Sequence, residues 1–160
     1  MIYISLGANV SSRVGSPEVT LRAALDELQL QGVTIVRASS FYKTPAWPKE
    51  SDPPFVNAVA EVSTKFGPNA LLKVLLSIEK SFGRVRKVKW EPRCLDLDIV
   101  DFGGLVVDEV DLSLPHPRLH ERAFVLWPLF EVCPHWRHPD TGASIRELLE
   151  IVGEGGVQRL

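Results

Sequence analysis

Two stretches of this chain carry the same punctuation, and that repetition restricts its possible folds more than any other feature. Ser16-Pro17-Glu18 supplies a capping oxygen, a proline at the first helical position and an early carboxylate. Leu21, Ala24, Leu25 and Leu28 then recur at helical spacing until Gly32. Gly67-Pro68 opens a second such run, with Leu71, Leu72, Leu75, Ile78 and Phe82 leading to Gly83. The spacing predicts one helix over 17–30 and another between Pro68 and Gly83. Around them lie β-prone runs at 2–6, at 33–40 with Phe41-Tyr42 extending it, at 55–63 and at 95–102. The resulting order, β-α-β-β-α-β, is the α+β, ferredoxin-like split βαβ arrangement, with helices on one face of an antiparallel sheet. A C-terminal extension follows, with a turn at Gly103-Gly104, a hairpin partner for the fourth strand at 105–107, and shorter helices over 121–130 and 144–152. Residues 44–54 hold four prolines and read as a loop.

With 160 residues the chain has the size of one domain, taken as 1–160. A net charge of −2 argues against a protein that coats nucleic acid. Two cysteines are too few for a disulfide scaffold of this length. The opening run lacks a basic segment and meets Gly7 at once, so no signal peptide is expected, and no stretch has the apolar length of a membrane span. The cytoplasm is the expected address.

The most informative segment is Arg93-Cys94-Leu95-Asp96-Leu97-Asp98-Ile99. Side chains two apart on a strand share a face, so Leu95, Leu97 and Ile99 point to the core while Asp96 and Asp98 point together the other way. Paired carboxylates in a cleft need a counter-charge, and Mg2+ commonly takes one or two carboxylates together with substrate phosphates. A solvated strand face explains the pair equally well. The preceding segment, 84–93, sets Arg84, Arg86, Lys87, Lys89 and Arg93 against the single anion Glu91. A cationic loop beside an acidic pair suits a polyphosphate, because guanidinium forks match phosphate oxygens. A nucleic-acid-binding loop with Trp90 as a stacking platform, or an inert basic loop, are the alternatives.

Arg84 through Ile99, centred on Pro92-Arg93-x-x-Asp96-Leu97-Asp98-Ile99, resembles the signature of the hydroxymethyldihydropterin pyrophosphokinases. Leu6-Gly7-Ala8-Asn9 resembles the family's opening motif, and Ser40-Phe41-Tyr42-Lys43-Thr44-Pro45 and Phe55-Val56-Asn57-Ala58 its pterin-side segments. Pro115-His116-Pro117 and Arg122-Ala123-Phe124-Val125-Leu126-Trp127-Pro128-Leu129 resemble its C-terminal motif. In order and spacing these cover most of residues 2–134. The chain departs from the family in carrying Glu91 before Pro92-Arg93 and Cys94 after them.

The resemblance implies an enzyme that moves pyrophosphate from ATP to 6-hydroxymethyl-7,8-dihydropterin in folate synthesis. Phe55 and Phe124 would sandwich the pterin, and Asn57 would read its edge, with Thr44, Pro45 and Trp47 completing the contact; a buried polar edge is costly unless matched. Asp96 and Asp98 would bind two Mg2+ ions spanning the triphosphate. Arg84, Lys87, Arg93 and Arg122 would neutralise its oxygens, and Glu79, Ile99, Ser113 and His116 would face the nucleotide. Trp90 would close over the reacting groups with its loop, a mobile lid. Monomeric action without nucleic acid or membrane is expected. Cys133, His135 and His138 form a weak transition-metal pattern, and His120 reads as a surface residue. A non-catalytic RNA-binding or ligand-sensing module of the same fold, or a pterin-binding pseudoenzyme, are the rival readings.

Overall fold

A computed structural model describes residues 1–46, 51–83 and 94–160. The chain runs β1 (Ile2–Ala8), α1 (Pro17–Leu30), β2 (Val33–Ala38), β3 (Tyr42–Thr44), β4 (Phe55–Thr64), α2 (Pro68–Ser81), β5 (Asp96–Phe102), β6 (Val107–Asp108), β7 (Ser113–Leu114), α3 (Ala123–Val132), α4 (Ile145–Val152) and β8 (Gln158–Arg159). A 3-10 turn at Leu119–Glu121 leads into α3. The fold is α+β, with an antiparallel sheet in the order β5-β1-β4-β3-β8 and β2 also paired to β4.

Both proline-opened helices form where the spacing places them, and Ser16 caps α1 by accepting from the Val19 amide (3.4 Å). Their apolar stripes cover one face of the sheet: Leu21, Ala24 and Leu28 of α1 and Leu71, Leu75 and Ile78 of α2 pack with Ile4, Leu6, Ala60, Val62, Leu97 and Ile99. The opposite face is not left open along its length. Tyr3, Val59 and Val100 lie beneath Val125, Leu126 and Leu129 of α3, with Leu148 and Leu149 of α4 beyond. Helices on one face is therefore incomplete as an expectation: the C-terminal extension covers part of the other face.

Two local expectations are corrected. The strand expected over 33–40 and into Tyr42 breaks into β2 and β3, because β4 is followed out of step: Ala38 faces Ala60 but Tyr42 faces Asn57, leaving one extra residue on the outer chain. Ser39 sits at the break, donating its amide to Val59 O (2.9 Å) and accepting from Val59 N through Oγ (3.0 Å). Residues 105–107 do not return along β5; β6 pairs with β7 in a separate two-stranded sheet. The turn before it is as expected, with Gly103 and Gly104 at φ of 59° and 79°.

Candidate active site

Period-2 alternation places the odd residues of β1 and β4 on the face that α3 covers only in part. Ser5 lies opposite Asp98 and Gly7 opposite Asp96 on β5, while on its other side Gly7 lies opposite Asn57 of β4. Asp96, Gly7 and Asn57 thus form one row across neighbouring strands, with Phe55 and Thr44 paired beside it. Beyond the end of α3 this row floors a cavity of about 270 Å³. Thr44, Pro45, Phe55 and Asn57 form one side, Asp96 and Asp98 the other, and Arg122 and Phe124 the wall above.

Each wall has a local cause. Asn57 is 6 % exposed, and its amide donates to Thr44 Oγ1 (3.0 Å). A Cβ at position 7 would lie 2.9 Å from Asn57 Oδ1, so the glycine makes room for that amide. Phe55 and Phe124 belong to neither apolar core, and the Arg122 guanidinium stands 5.6 Å from the Phe124 ring centroid. Asn9, buried, donates to Pro53 O (3.1 Å) and so pins the segment that delivers Phe55.

Asp96 and Asp98 are half-buried and face one cavity, so the solvated-face reading gives way to a shared site. Among the described residues no three His, Cys, Asp or Glu side chains gather as a metal cage. The donor set is two hard carboxylates opening on a cavity, which fits Mg2+ held jointly with substrate oxygens rather than by protein alone.

Other expected residues lie elsewhere. Glu79 is 2 % exposed and accepts the Leu97 amide at 2.7 Å, from the α2 side of the sheet. The side chain occupies an otherwise open main-chain donor of edge strand β5, between the two aspartates. Ile99 packs in the core against α1 and α2, and Ser113 pairs in β7, so neither lines the cavity. His116 also stands outside the lining, with Nδ1 accepting from the Arg118 amide (3.1 Å), which leaves Nε2 as its donor. Burial and the Arg122 guanidinium lower its pKa to about 4, against the pull of Asp96. Trp47, Arg84, Lys87, Trp90 and Arg93, and with them the expected lid and Glu91, lie outside the described residues. Conversely, Ser5, Arg118, Glu121 and Val125 line the cavity without having been singled out. Ser5 was reachable by stepping two residues back from Gly7; Arg118 and Glu121, bonded to each other at 3.3 Å, follow no periodic pattern.

The Cys133–His138 segment carries no metal pattern. His138 is 6 % exposed, and its Nδ1 accepts the Asp140 and Thr141 amides, each at 3.2 Å. Burial lowers its pKa, Asp140 opposing and His120 reinforcing. An unfolded histidine titrates near 6.5, so below that pH the unfolded chain binds more protons than the folded one. Stability is then complete above about pH 6.5 and declines on acidification. His138→Asn keeps an acceptor near the Nδ1 position but cannot titrate. Thermal melts at pH 7.5 and 5.0 are expected to show a smaller loss of Tm for His138→Asn than for the native chain; equal losses would place the titrating group elsewhere.

The family matching this chain is 7,8-dihydro-6-hydroxymethylpterin-pyrophosphokinase, over residues 3–134. The chain is 39% identical over 160 residues to the 2-amino-4-hydroxy-6-hydroxymethyldihydropteridine pyrophosphokinase of Pseudomonas aeruginosa, covering 99% of this chain and 96% of that protein. Its identity to the protein of the same description from Methylorubrum extorquens is 36% over 159 residues, covering 99% and 97%. It is also 38% identical to a folic acid synthesis protein of Pneumocystis carinii, covering 94% of this chain but only 20% of that longer protein. The solved structure of wild-type Plasmodium falciparum HPPK-DHPS superposes at a TM-score of 0.73 with 14% identity, covering 99% of this chain and 47% of that one. That last likeness bears on the fold.

Proposed function

The chain belongs to the 7,8-dihydro-6-hydroxymethylpterin-pyrophosphokinase family, and from that premise we propose that it transfers pyrophosphate from ATP to the hydroxymethyl group of 6-hydroxymethyl-7,8-dihydropterin, releasing AMP, in folate synthesis. The observation that carries this reading is the row Asp96–Gly7–Asn57. Two strand spacings, about 10 Å, separate a pair of carboxylates from a buried amide flanked by aromatic rings. One site thereby joins a polyphosphate end to a heterocycle end.

Phe55 and Phe124 stack on the pterin, and Asn57 with Thr44 matches its polar edge. Arg122 neutralises phosphate oxygens from the wall above, and His116 donates from Nε2 toward the nucleotide, uncharged at neutral pH. Asp96 and Asp98 would hold the metal, expected as two Mg2+ ions, which would supply charge neutralisation and polarisation of the attacking oxygen. Glu79 keeps β5 in register for both carboxylates. The hydroxymethyl oxygen bonds to the β-phosphorus and gives up its proton to solvent, as the bond between that phosphorus and the bridging α–β oxygen breaks, and AMP departs with that oxygen. Such transfer relies on position and electrostatics, so no nucleophilic side chain is required. The β-α-β-β-α-β order, with its second strand split in two, supports the ferredoxin-like assignment. Among the described residues no helix is long and apolar enough to cross a membrane. The proposed action is in the cytoplasm, as a monomer on two small substrates.

Product analysis from MgATP tests the reading. AMP and a pterin diphosphate are expected in equal amounts, and only when the hydroxymethyl pterin is present. ADP as the product, or AMP formed equally without the pterin, would overturn it.

A further inference from the structure

The segment after α4 meets Pro45, in one side of the cavity, and Ala123, the residue between Arg122 and Phe124 of the wall above, without lining the cavity itself. It leaves α4 at Gly153, whose carbonyl accepts from Trp127 Nε1 of α3 (3.0 Å). Gly155 then crosses the start of α3: a Cβ built there would lie 2.8 Å from the Cβ of Ala123, the neighbour of Phe124. Gly156 crosses the side that Pro45 belongs to, where a Cβ would lie 3.1 Å from Cγ and Cδ of Pro45. All three glycines hold positive φ (67°, 59° and 74°), so both the path and the close approach favour residues without side chains.

Beyond these crossings the chain joins the sheet. β8 pairs with β3, Arg159 opposite Tyr42 and Gln158 opposite Lys43, and the Leu160 amide donates to Phe41 O (2.9 Å). Glu131 of α3 ties the same parts together. It accepts the Ser40 amide (2.5 Å) and the Tyr42 hydroxyl (2.6 Å), with Arg159 Nε at 3.8 Å. Burial alone would raise the Glu131 pKa, but Tyr42, Ser40 and Arg159 together hold it below the ordinary value. The segment is therefore fastened to α3 and to β3, the elements that present Phe124 and Thr44-Pro45.

We infer that Gly155, Gly156 and Arg159 are positioning residues, forming a strap that sets the spacing between Pro45 and Phe124 and hence the fit of the flat pterin. The inference rests on the assignment of the pterin to that side of the cavity. Neither Asp96 nor Asp98 takes part in these contacts, and a Cβ at Gly156 would meet only Pro45, so a change at Gly156 is expected to act on the pterin side alone.

Gly156→Ala drives a methyl group towards the Pro45 ring. The pterin KM is expected to rise roughly tenfold, with the ATP KM and the saturated kcat nearly unchanged. Gly142→Ala is the control: its φ is 73° and no atom lies within 4 Å of the added Cβ, so it carries the backbone strain without the contact. It should leave both KM values alone. Arg159→Glu, with its side chain 68% exposed, sets like charge against Glu131 without touching a core, and is expected to raise the pterin KM in the same direction by less. It keeps the test open should Gly156→Ala fold poorly. An unchanged pterin KM in folded strap variants, a parallel rise in both KM values, or an equal rise in Gly142→Ala would overturn the inference. A native chain that makes no AMP with the pterin would instead remove the underlying assignment, and the strap's role with it.

Discussion

Replacing Asp96 or Asp98 with alanine is expected to lower turnover by roughly a thousandfold, the scale on which loss of one transition-state charge stabiliser acts. The effect is large because the two carboxylates share one cavity with Arg122, and among the described residues no three acidic, thiolate or imidazole groups gather to take over a cation; Glu121, the other acidic residue of the lining, is bonded to Arg118 (3.3 Å). The fold should persist. Leu97 and Ile99 carry the packing of β5, and they point away from the substituted side chains. Asp96→Asn and Asp98→Asn, which keep shape and lose charge, should fail in the same manner. The measurement is kcat against Mg2+ concentration, with circular dichroism and melting curves alongside. Native turnover by any of these variants at limiting Mg2+ would remove the metal assignment. A low turnover accompanied by collapse of the melting transition would show instead that the pair is structural.

Asn57→Ala is expected to weaken pterin binding by roughly 5- to 150-fold, the equivalent of about 1–3 kcal/mol for a buried polar group left unmatched. ATP binding should change little, because the altered side chain lies two strands away from the acidic pair. Gly7→Ala offers an independent route to the same phenotype. Its Cβ would stand 2.9 Å from Asn57 Oδ1, so the amide must move although its chemistry is retained. Thr44 would lose its 3.0 Å bond altogether in Asn57→Ala and the alignment of that bond in Gly7→Ala. Titrations with pterin and with MgATP separate the possibilities. Equal weakening of both ligands would make Asn57 a structural amide, and an unaffected pterin affinity in Gly7→Ala would show that the glycine only packs.

Glu79 shows where local reading stops. Its place beside Ile78 on an amphipathic helix is equally compatible with solvent and with a site; only the docking of α2 under an edge strand puts its carboxylate on the Leu97 amide. Ile99 shows the converse. Alternation alone sends it to the core, where it is found, while the family resemblance sets it beside the nucleotide. Arg118 and Glu121 entered the cavity by neither route, since a 3-10 turn has too few residues to display a period.

What the sequence by itself determined is whatever depends on near neighbours. The proline and glycine punctuation set both long helices, the period of two put Asp96 and Asp98 on one side of a strand, and the spaced motifs identified the chemistry. Those signals are local because hydrogen bonding within a helix and the pleat of a strand are completed over a few residues. Tertiary structure alone decided that Gly7 stands between Asp96 and Asn57, that strand pairing breaks at Ser39, that α3 covers part of a sheet face, and that Gly155 and Gly156 meet Ala123 and Pro45 beside the cavity. Each joins segments far apart in the chain. Register between such segments is chosen by how all the apolar faces can be buried at once, and no single stretch of residues carries that information.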